Sequence, residues 1–134
     1  MRPKLVIFDC DGVLVDSERI TNGVLRDMLE EEGWRLTLAE TLAIFLGKAV
    51  RDERGRIEAE TGKPFREEWL KAFQLRRNEA LRLRLQAIPH APEAVARIHA
   101  QFGGRIACAS GADLGKVRLQ LEKTGMMHAF EGRI

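Results

Sequence analysis

Apolar positions form two short continuous runs, one near each end of the chain. The first is "KLVIF", residues 4–8, and the second lies within "RIACASG", residues 105–111. The length and β-branched content of the first run favour a strand buried on both faces, as in a parallel sheet. We interpret the second run in the same way. Each predicted strand is followed by polar or turn-forming residues, "DCDG" after the first and "SG" after the second.

Between and beyond these runs, apolar residues recur at helical spacing. The clearest stripe follows Ser17 and ends at Gly33, a residue type that commonly stops helices. Thr37 is a possible N-cap of the next helix, because its side chain can accept a backbone N–H. The six predicted helices lie within residues 17–33, 37–47, 50–64, 65–85, 92–103 and 112–126.

The order of these elements predicts an α/β fold. A strand, a helix and a second strand joined in sequence form a parallel pair, as in a Rossmann-like sheet. Four helices between the first strand and the prolines of "AIPHAP" are too many for a simple crossover. We therefore predict a sheet-containing core, residues 1–16 and 86–134, interrupted by a helical domain, residues 17–85.

Composition and charge exclude only a few classes of function. The chain has 134 residues, with 22 basic and 20 acidic side chains and a net charge of +2, which does not suggest a nucleic-acid binder. No apolar stretch is long enough to span a membrane. Cys10 and Cys108 lie in apolar runs, which favours reduced thiols over a disulfide. We expect a cytoplasmic protein with no membrane or nucleic-acid partner; the pattern does not predict its oligomeric state.

The candidate chemistry lies where the two predicted strands end. Ligands of open α/β sheets bind beyond the carboxyl ends of the strands. Asp9 and Asp11 are neighbouring carboxylates, and Mg²⁺ is a cation that would offset their repulsion. Gly12, Ser110 and Gly111 could bind a small anion through backbone N–H groups and a hydroxyl, although Ser110 could instead cap the following helix. Two carboxylates, a cation and an anion cradle together predict phosphoryl transfer.

Two segments resemble the motifs of the haloacid dehalogenase superfamily. "VIFDCDGVLVDS" is similar to its first motif and "IACASGAD" to its second. The helical insertion resembles the small cap of the subgroup that contains β-phosphoglucomutase and many sugar-phosphate phosphatases. The resemblance implies a Mg²⁺-dependent phosphatase that hydrolyses a small phosphorylated metabolite, such as a sugar phosphate, through an aspartyl-phosphate.

The resemblance also implies residue roles. Asp9 matches the nucleophile, and Asp11 matches the general acid/base. A carboxylate oxygen of Asp9 and the backbone carbonyl of Asp11 would bind Mg²⁺. Ser110 matches the hydroxyl that binds the transferring phosphoryl group. Lys48 and Arg51 follow Gly47 in the cap, where such proteins often contact the substrate.

The sequence departs from the family pattern after its second motif. The family has a third-motif lysine and a fourth-motif acidic pair. Lys116 comes only six positions after Ser110, too early for the third motif, and no acidic pair follows a later strand. We therefore expect a C-terminally incomplete sheet, and a 134-residue form that binds Mg²⁺ weakly, has little activity and tends to associate.

Three alternatives stay open from the sequence. A phosphomutase of this cap type tends to carry a histidine on the first cap helix, where this chain has Thr21. A dehalogenase of the superfamily lacks the second aspartate, so Asp11 argues against carbon–halogen hydrolysis. A non-catalytic phosphate-binding module would account for the absent third and fourth motifs.

Overall fold

The computed structural model of the chain describes residues 2–134, which form two compact units. One contains residues 2–17 and 84–134, and the other contains residues 18–83. No helix in the described part of the chain has the length and apolar character that crossing a membrane requires.

The architecture is mixed α/β, mostly helical, with two parallel strands. In chain order the elements are β1 (Val6–Phe8), α1 (Glu18–Glu31), α2 (Leu38–Phe45), a 3₁₀ turn (Val50–Glu53), α3 (Arg54–Thr61), α4 (Glu67–Arg84), α5 (Ala91–Gln101), β2 (Ile106–Cys108), α6 (Leu114–Lys123) and α7 (Met127–Phe130). The six predicted helices are confirmed, with one difference in the third. The stretch 50–64 begins with the 3₁₀ turn, and α3 then ends at Gly62, which adopts the left-handed conformation that glycine allows.

The helical unit is built around an apolar core to which α1 to α4 all contribute. Amphipathic helices are stabilised mainly by burying their apolar stripes against one another. The core contains aromatic rings, and Trp34 meets Phe45 edge-on at a centroid distance of 6.0 Å. The buried members are Leu25, Met28, Leu29, Trp34, Phe45, Ile57, Phe65, Leu70 and Phe73.

The capping role predicted for Thr37 is confirmed. Its hydroxyl accepts the backbone N–H of Glu40 at 3.1 Å, and the Glu40 carboxylate accepts the backbone N–H of Thr37 at 3.1 Å. This reciprocal capping box satisfies two backbone donors that the start of α2 would otherwise leave unpaired.

Replacing Thr37 by alanine is expected to lower the free energy of unfolding by about 1 kcal/mol, the usual cost of losing an N-cap. Thr37→Ser keeps the hydroxyl and should cost much less. Urea unfolding followed by tryptophan fluorescence measures both, since Trp34 and Trp69 lie in the helical unit. Equal stability of the alanine variant and the wild type would show that the cap contributes nothing.

The unit that contains the sheet pairs β1 with β2 in parallel, with Phe8 opposite Cys108. The prediction that both strands are buried is wrong for β1, in which Ile7 is 62% exposed. In the two-stranded sheet of the described residues, β1 pairs with β2 along one of its two edges. The helix α7 was not predicted; its Phe130 is fully buried and meets the Phe8 ring edge-on at 5.8 Å.

Candidate functional site

β1 is followed by a tight turn that carries both predicted aspartates. The Cys10 carbonyl accepts the backbone N–H of Leu14 at 2.8 Å, and Gly12 donates its N–H to the Val15 carbonyl at 2.9 Å. Gly12 has a φ of 76°, a conformation in which a side chain would be strained. The turn itself therefore requires the glycine that the sequence marked as a phosphate-binding residue.

The two strand ends lie at the same edge of the sheet. The N–H of Ala109 donates to the Phe8 carbonyl at 2.9 Å, so Asp9 directly follows β1 and Ser110 is the second residue after β2. Asp9 is exposed, and one of its carboxylate oxygens accepts the backbone N–H of Cys10 at 2.8 Å. A carboxylate that is held by one oxygen and open to solvent can reach an incoming ligand.

The segment after β2 forms a turn that leads into α6. The Ser110 hydroxyl accepts the backbone N–H of Ala112 at 3.1 Å. The alternative role of Ser110 as helix cap is wrong, because Asp113 caps α6 and accepts the backbone N–H of Lys116 at 2.8 Å. Gly111 is exposed, and a side chain there would meet no atom within 4 Å. The phosphate-binding roles of Ser110 and Gly111 stay predictions.

Asp11 is the centre of a polar cluster inside the unit that contains the sheet. Three donors converge on its Oδ1: the Ser17 hydroxyl at 2.6 Å, the Lys116 ammonium at 3.1 Å and the Gln120 amide nitrogen at 3.2 Å. The Lys116 side chain is 10% exposed and that of Asp11 is 16% exposed. A shielded ion pair of this kind is stronger than one on the surface.

Lys116 and Gln120 are site residues that the sequence did not identify. Both are buried on α6, beside the apolar Val117 and Leu121. A lysine and a glutamine one helical turn apart, within an otherwise apolar stripe, are unusual because buried polar groups need partners. The four-residue spacing of Lys116 and Gln120, beside apolar positions of the same helix, was the sequence feature that could have identified them.

The environment of Asp11 favours its charged form. Burial raises the pKa of the Asp11 carboxyl, but the Lys116 ammonium and the donors from Ser17, Lys116 and Gln120 outweigh this effect. The net result is a pKa below the usual value for an aspartate. Asp11 is therefore a carboxylate at neutral pH in the unliganded protein.

A depressed carboxyl pKa stabilises the fold above the unfolded-state pKa, and that stability is lost as the pH falls through the lower folded-state value. An unfolded aspartate titrates at about 3.9. We expect Asp11→Asn to cost stability at neutral pH and the gap from wild type to shrink below about pH 4. Unfolding in metal-free buffer across pH 3–7 measures this, with Asp16→Asn as an exposed control. A gap that widens in acid would contradict it.

Cys10 and Cys108 are both buried and free, as the sequence predicted. The neighbouring Cys108 thiol, together with burial, raises the pKa of Cys10. Gln120 also approaches the Cys10 sulfur at 3.6 Å. Cys10 is thus a neutral packing residue behind the two aspartates.

The two predicted cap residues are already engaged within the helical unit. Arg51 pairs with both carboxylate oxygens of Glu67, at 2.6 and 3.2 Å. The Lys48 ammonium lies 3.8 Å from a carboxylate oxygen of Glu53. These pairs are exposed and contribute little to stability, so either cation can exchange its partner for an anionic ligand at small cost.

The oxygen atoms after β1 suit a hard cation such as Mg²⁺. The exposed Asp9 carboxylate offers one ligand, and the Asp11 backbone carbonyl, which accepts no backbone N–H within residues 2–134, offers another. Carboxylate and carbonyl oxygens are the ligands that Mg²⁺ takes in proteins. The described residues contain no cluster of three or more His, Cys, Asp or Glu side chains placed to hold a metal, so water or substrate oxygens would complete the coordination.

Comparison with solved structures finds relatives of the whole described fold. A conserved haloacid dehalogenase-like protein of unknown function from Agrobacterium tumefaciens is 27% identical over 98% of this chain and 57% of its own, with a TM-score of 0.78. A HAD family hydrolase from Deinococcus radiodurans, with bound phosphate and sodium, is 28% identical over 98% of this chain and 56% of its own, with a TM-score of 0.70.

A candidate β-phosphoglucomutase from Thermotoga maritima shares the fold, with a TM-score of 0.71 and 22% identity over 95% of this chain and 58% of its own. The chain therefore spans somewhat more than half the length of these structures. No protein of curated function matches it. The family model for haloacid dehalogenase-like hydrolases matches residues 3–134. Because that match takes in almost every residue, the chain belongs to the haloacid dehalogenase-like hydrolases.

Proposed function

We propose that this chain carries the phosphoryl-transfer site of a Mg²⁺-dependent phosphatase that acts on a small phosphorylated metabolite. One observation carries the proposal. An exposed Asp9 and a largely buried Asp11 both follow β1, at the edge of the sheet where Ser110 follows β2. Membership of a hydrolase family and the phosphate bound to the Deinococcus relative support the same chemistry.

In the first half-reaction, a carboxylate oxygen of Asp9 attacks phosphorus, and the bond from phosphorus to the leaving oxygen breaks. Asp11 donates a proton to that oxygen. In the second half-reaction, Asp11 takes a proton from water, which attacks the phosphoaspartyl group and releases phosphate. The Ser110 hydroxyl and the N–H groups of Gly12 and Gly111 would bind the phosphoryl oxygens.

Asp11 acts as a base in the second half-reaction, and its carboxylate form suits that role directly. In the first half-reaction it acts as an acid, which requires that bound substrate favour its protonated form. The lowered pKa keeps Asp11 in its carboxylate form, the form in which a base takes a proton from water. A phosphate dianion beside it adds negative charge, and a nearby like charge raises a carboxyl pKa. Substrate binding would thus favour protonation of Asp11, and Asp11 would then donate that proton to the leaving oxygen.

The Asp9 carboxylate and the Asp11 carbonyl would hold Mg²⁺, which would offset the negative charge of the phosphoryl group as the nucleophile approaches. The helical unit is the proposed cap, in which Lys48 and Arg51 would bind the anionic substrate. A sugar phosphate or a related metabolite is the proposed class, in line with the subgroup that the motifs resemble.

Phosphate release from a panel of sugar phosphates and other small phosphate esters, with Mg²⁺ and with chelator, tests the proposal. Mg²⁺-dependent release by the wild type, absent from Asp9→Asn, is the expected result. Phosphate binding without release would favour a non-catalytic phosphate-binding module. Interconversion of sugar phosphates without free phosphate would favour a mutase.

A further inference from the structure

The three hydrogen-bond donors to Asp11 all bind the same carboxylate oxygen. Ser17, Lys116 and Gln120 all bind Oδ1, at 2.6, 3.1 and 3.2 Å. Within residues 2–134 no hydrogen bond reaches Oδ2. A carboxylate fastened by one oxygen presents the other in a fixed direction, and only that second oxygen is open to a new partner.

The two donors from α6, Lys116 and Gln120, are polar side chains in a buried position, where an unpaired polar atom costs stability. Lys116 is buried, 8% exposed, and its side-chain nitrogen is paired with the Asp11 carboxylate at 3.1 Å. Gln120 is fully buried, and its amide nitrogen meets Asp11 and Cys10 while its carbonyl oxygen has no partner in the described structure. Packing alone would favour an apolar residue at that position, as at the neighbouring Leu121.

We propose that Lys116 and Gln120 are positioning residues, which fasten Asp11 by Oδ1 so that Oδ2 exchanges the proton with the leaving group and with water. The inference rests on the proposed function and adds residues from a different part of the chain to it. Lys116 is the third residue of α6 and lies outside both family motifs found in the sequence, so the resemblance gives it no role.

A merely structural ion pair would behave differently. Its loss would loosen the fold and slow every substrate to a similar extent. A positioning role acts through proton transfer to the leaving oxygen, a step that alkyl phosphates need and that p-nitrophenyl phosphate, with its acidic leaving group, hardly needs. The ratio of the two rates therefore separates the roles.

The test compares the wild-type enzyme with Lys116→Met, which keeps the length of the side chain and removes its charge. We expect the pre-steady-state rate of phosphoaspartyl formation from an alkyl phosphate to fall on the order of tenfold or more, and that from p-nitrophenyl phosphate to change far less. Lys116→Arg should recover part of the loss. Lys123→Met, an exposed lysine at the end of the same helix, is the matched control. Equal losses with both esters, or no loss, would overturn the proposal.

Failure of the proposed function has a separate signature: a wild type that releases phosphate from neither ester. In that case ¹⁵N-lysine NMR decides the positioning contact. A resolved, slowly exchanging Lys116 ammonium signal that disappears in Asp11→Asn supports it. A Lys116 signal averaged with solvent, like that of Lys123, overturns it.

Discussion

Replacing Asp9 by asparagine is expected to abolish phosphate release by the active enzyme. The amide is isosteric with the carboxylate but is a poor nucleophile, so the covalent step cannot begin. Loss of a nucleophile typically costs on the order of 10⁴–10⁶-fold in turnover. Because Asp9 is exposed and its side chain accepts a single hydrogen bond, from the Cys10 N–H, the fold should be unaffected.

Steady-state phosphate release at saturating substrate and Mg²⁺ measures this loss, and thermal unfolding checks the fold. Asp16→Asn is the matched control, since Asp16 is an exposed aspartate of the same segment that lies outside the proposed site. It should keep wild-type turnover. Full activity in Asp9→Asn would remove the covalent mechanism from this chain.

Replacing Asp11 by asparagine is expected to slow turnover by about 10²–10⁴-fold, the usual contribution of a general acid or base. The loss should depend on the leaving group during formation of the phosphoaspartyl group, because a good leaving group needs no proton. Hydrolysis of that group still needs a base, so with p-nitrophenyl phosphate the intermediate should accumulate. The expected record is a burst of p-nitrophenol followed by slow release.

Stopped-flow absorbance resolves such a burst, and its amplitude should approach one equivalent of chain. An alkyl phosphate should show no burst in the same variant. If both esters slow equally in the burst phase, Asp11 is not the acid, and its cluster with Lys116 serves the fold alone.

Local patterns predicted most of the fold. The helices of residues 18–84 follow from apolar periodicity, and the capping box at Thr37 is readable because both of its members lie within four residues. The exposure of Ile7 could not be predicted, since a run of apolar residues does not report how many strands flank it. The helix α7 has four residues, too few to show a period, and is fixed by burying Phe130 against Phe8.

Some residues of the candidate site could be predicted from local sequence, and others could not. Asp9, Asp11 and Gly12 lie within four residues of one another, so a short motif could identify them. Lys116 lies 105 residues beyond Asp11 and Gln120 lies 109 residues beyond it. Their contact depends on the parallel pairing of the strands and the packing of α6, which no local spacing encodes. The sequence showed the lysine but could not show the carboxylate that it binds.

The most direct measurement is chemical identification of the phosphoryl acceptor during turnover. The wild type would be mixed with substrate and Mg²⁺, quenched in acid within milliseconds and treated with borohydride, which converts a phosphoaspartyl residue to homoserine. Peptide mass spectrometry then locates the modified residue. The proposed mechanism predicts homoserine at position 9 and at no other aspartate. Phosphate release without any homoserine, or with homoserine elsewhere in the chain, would contradict it.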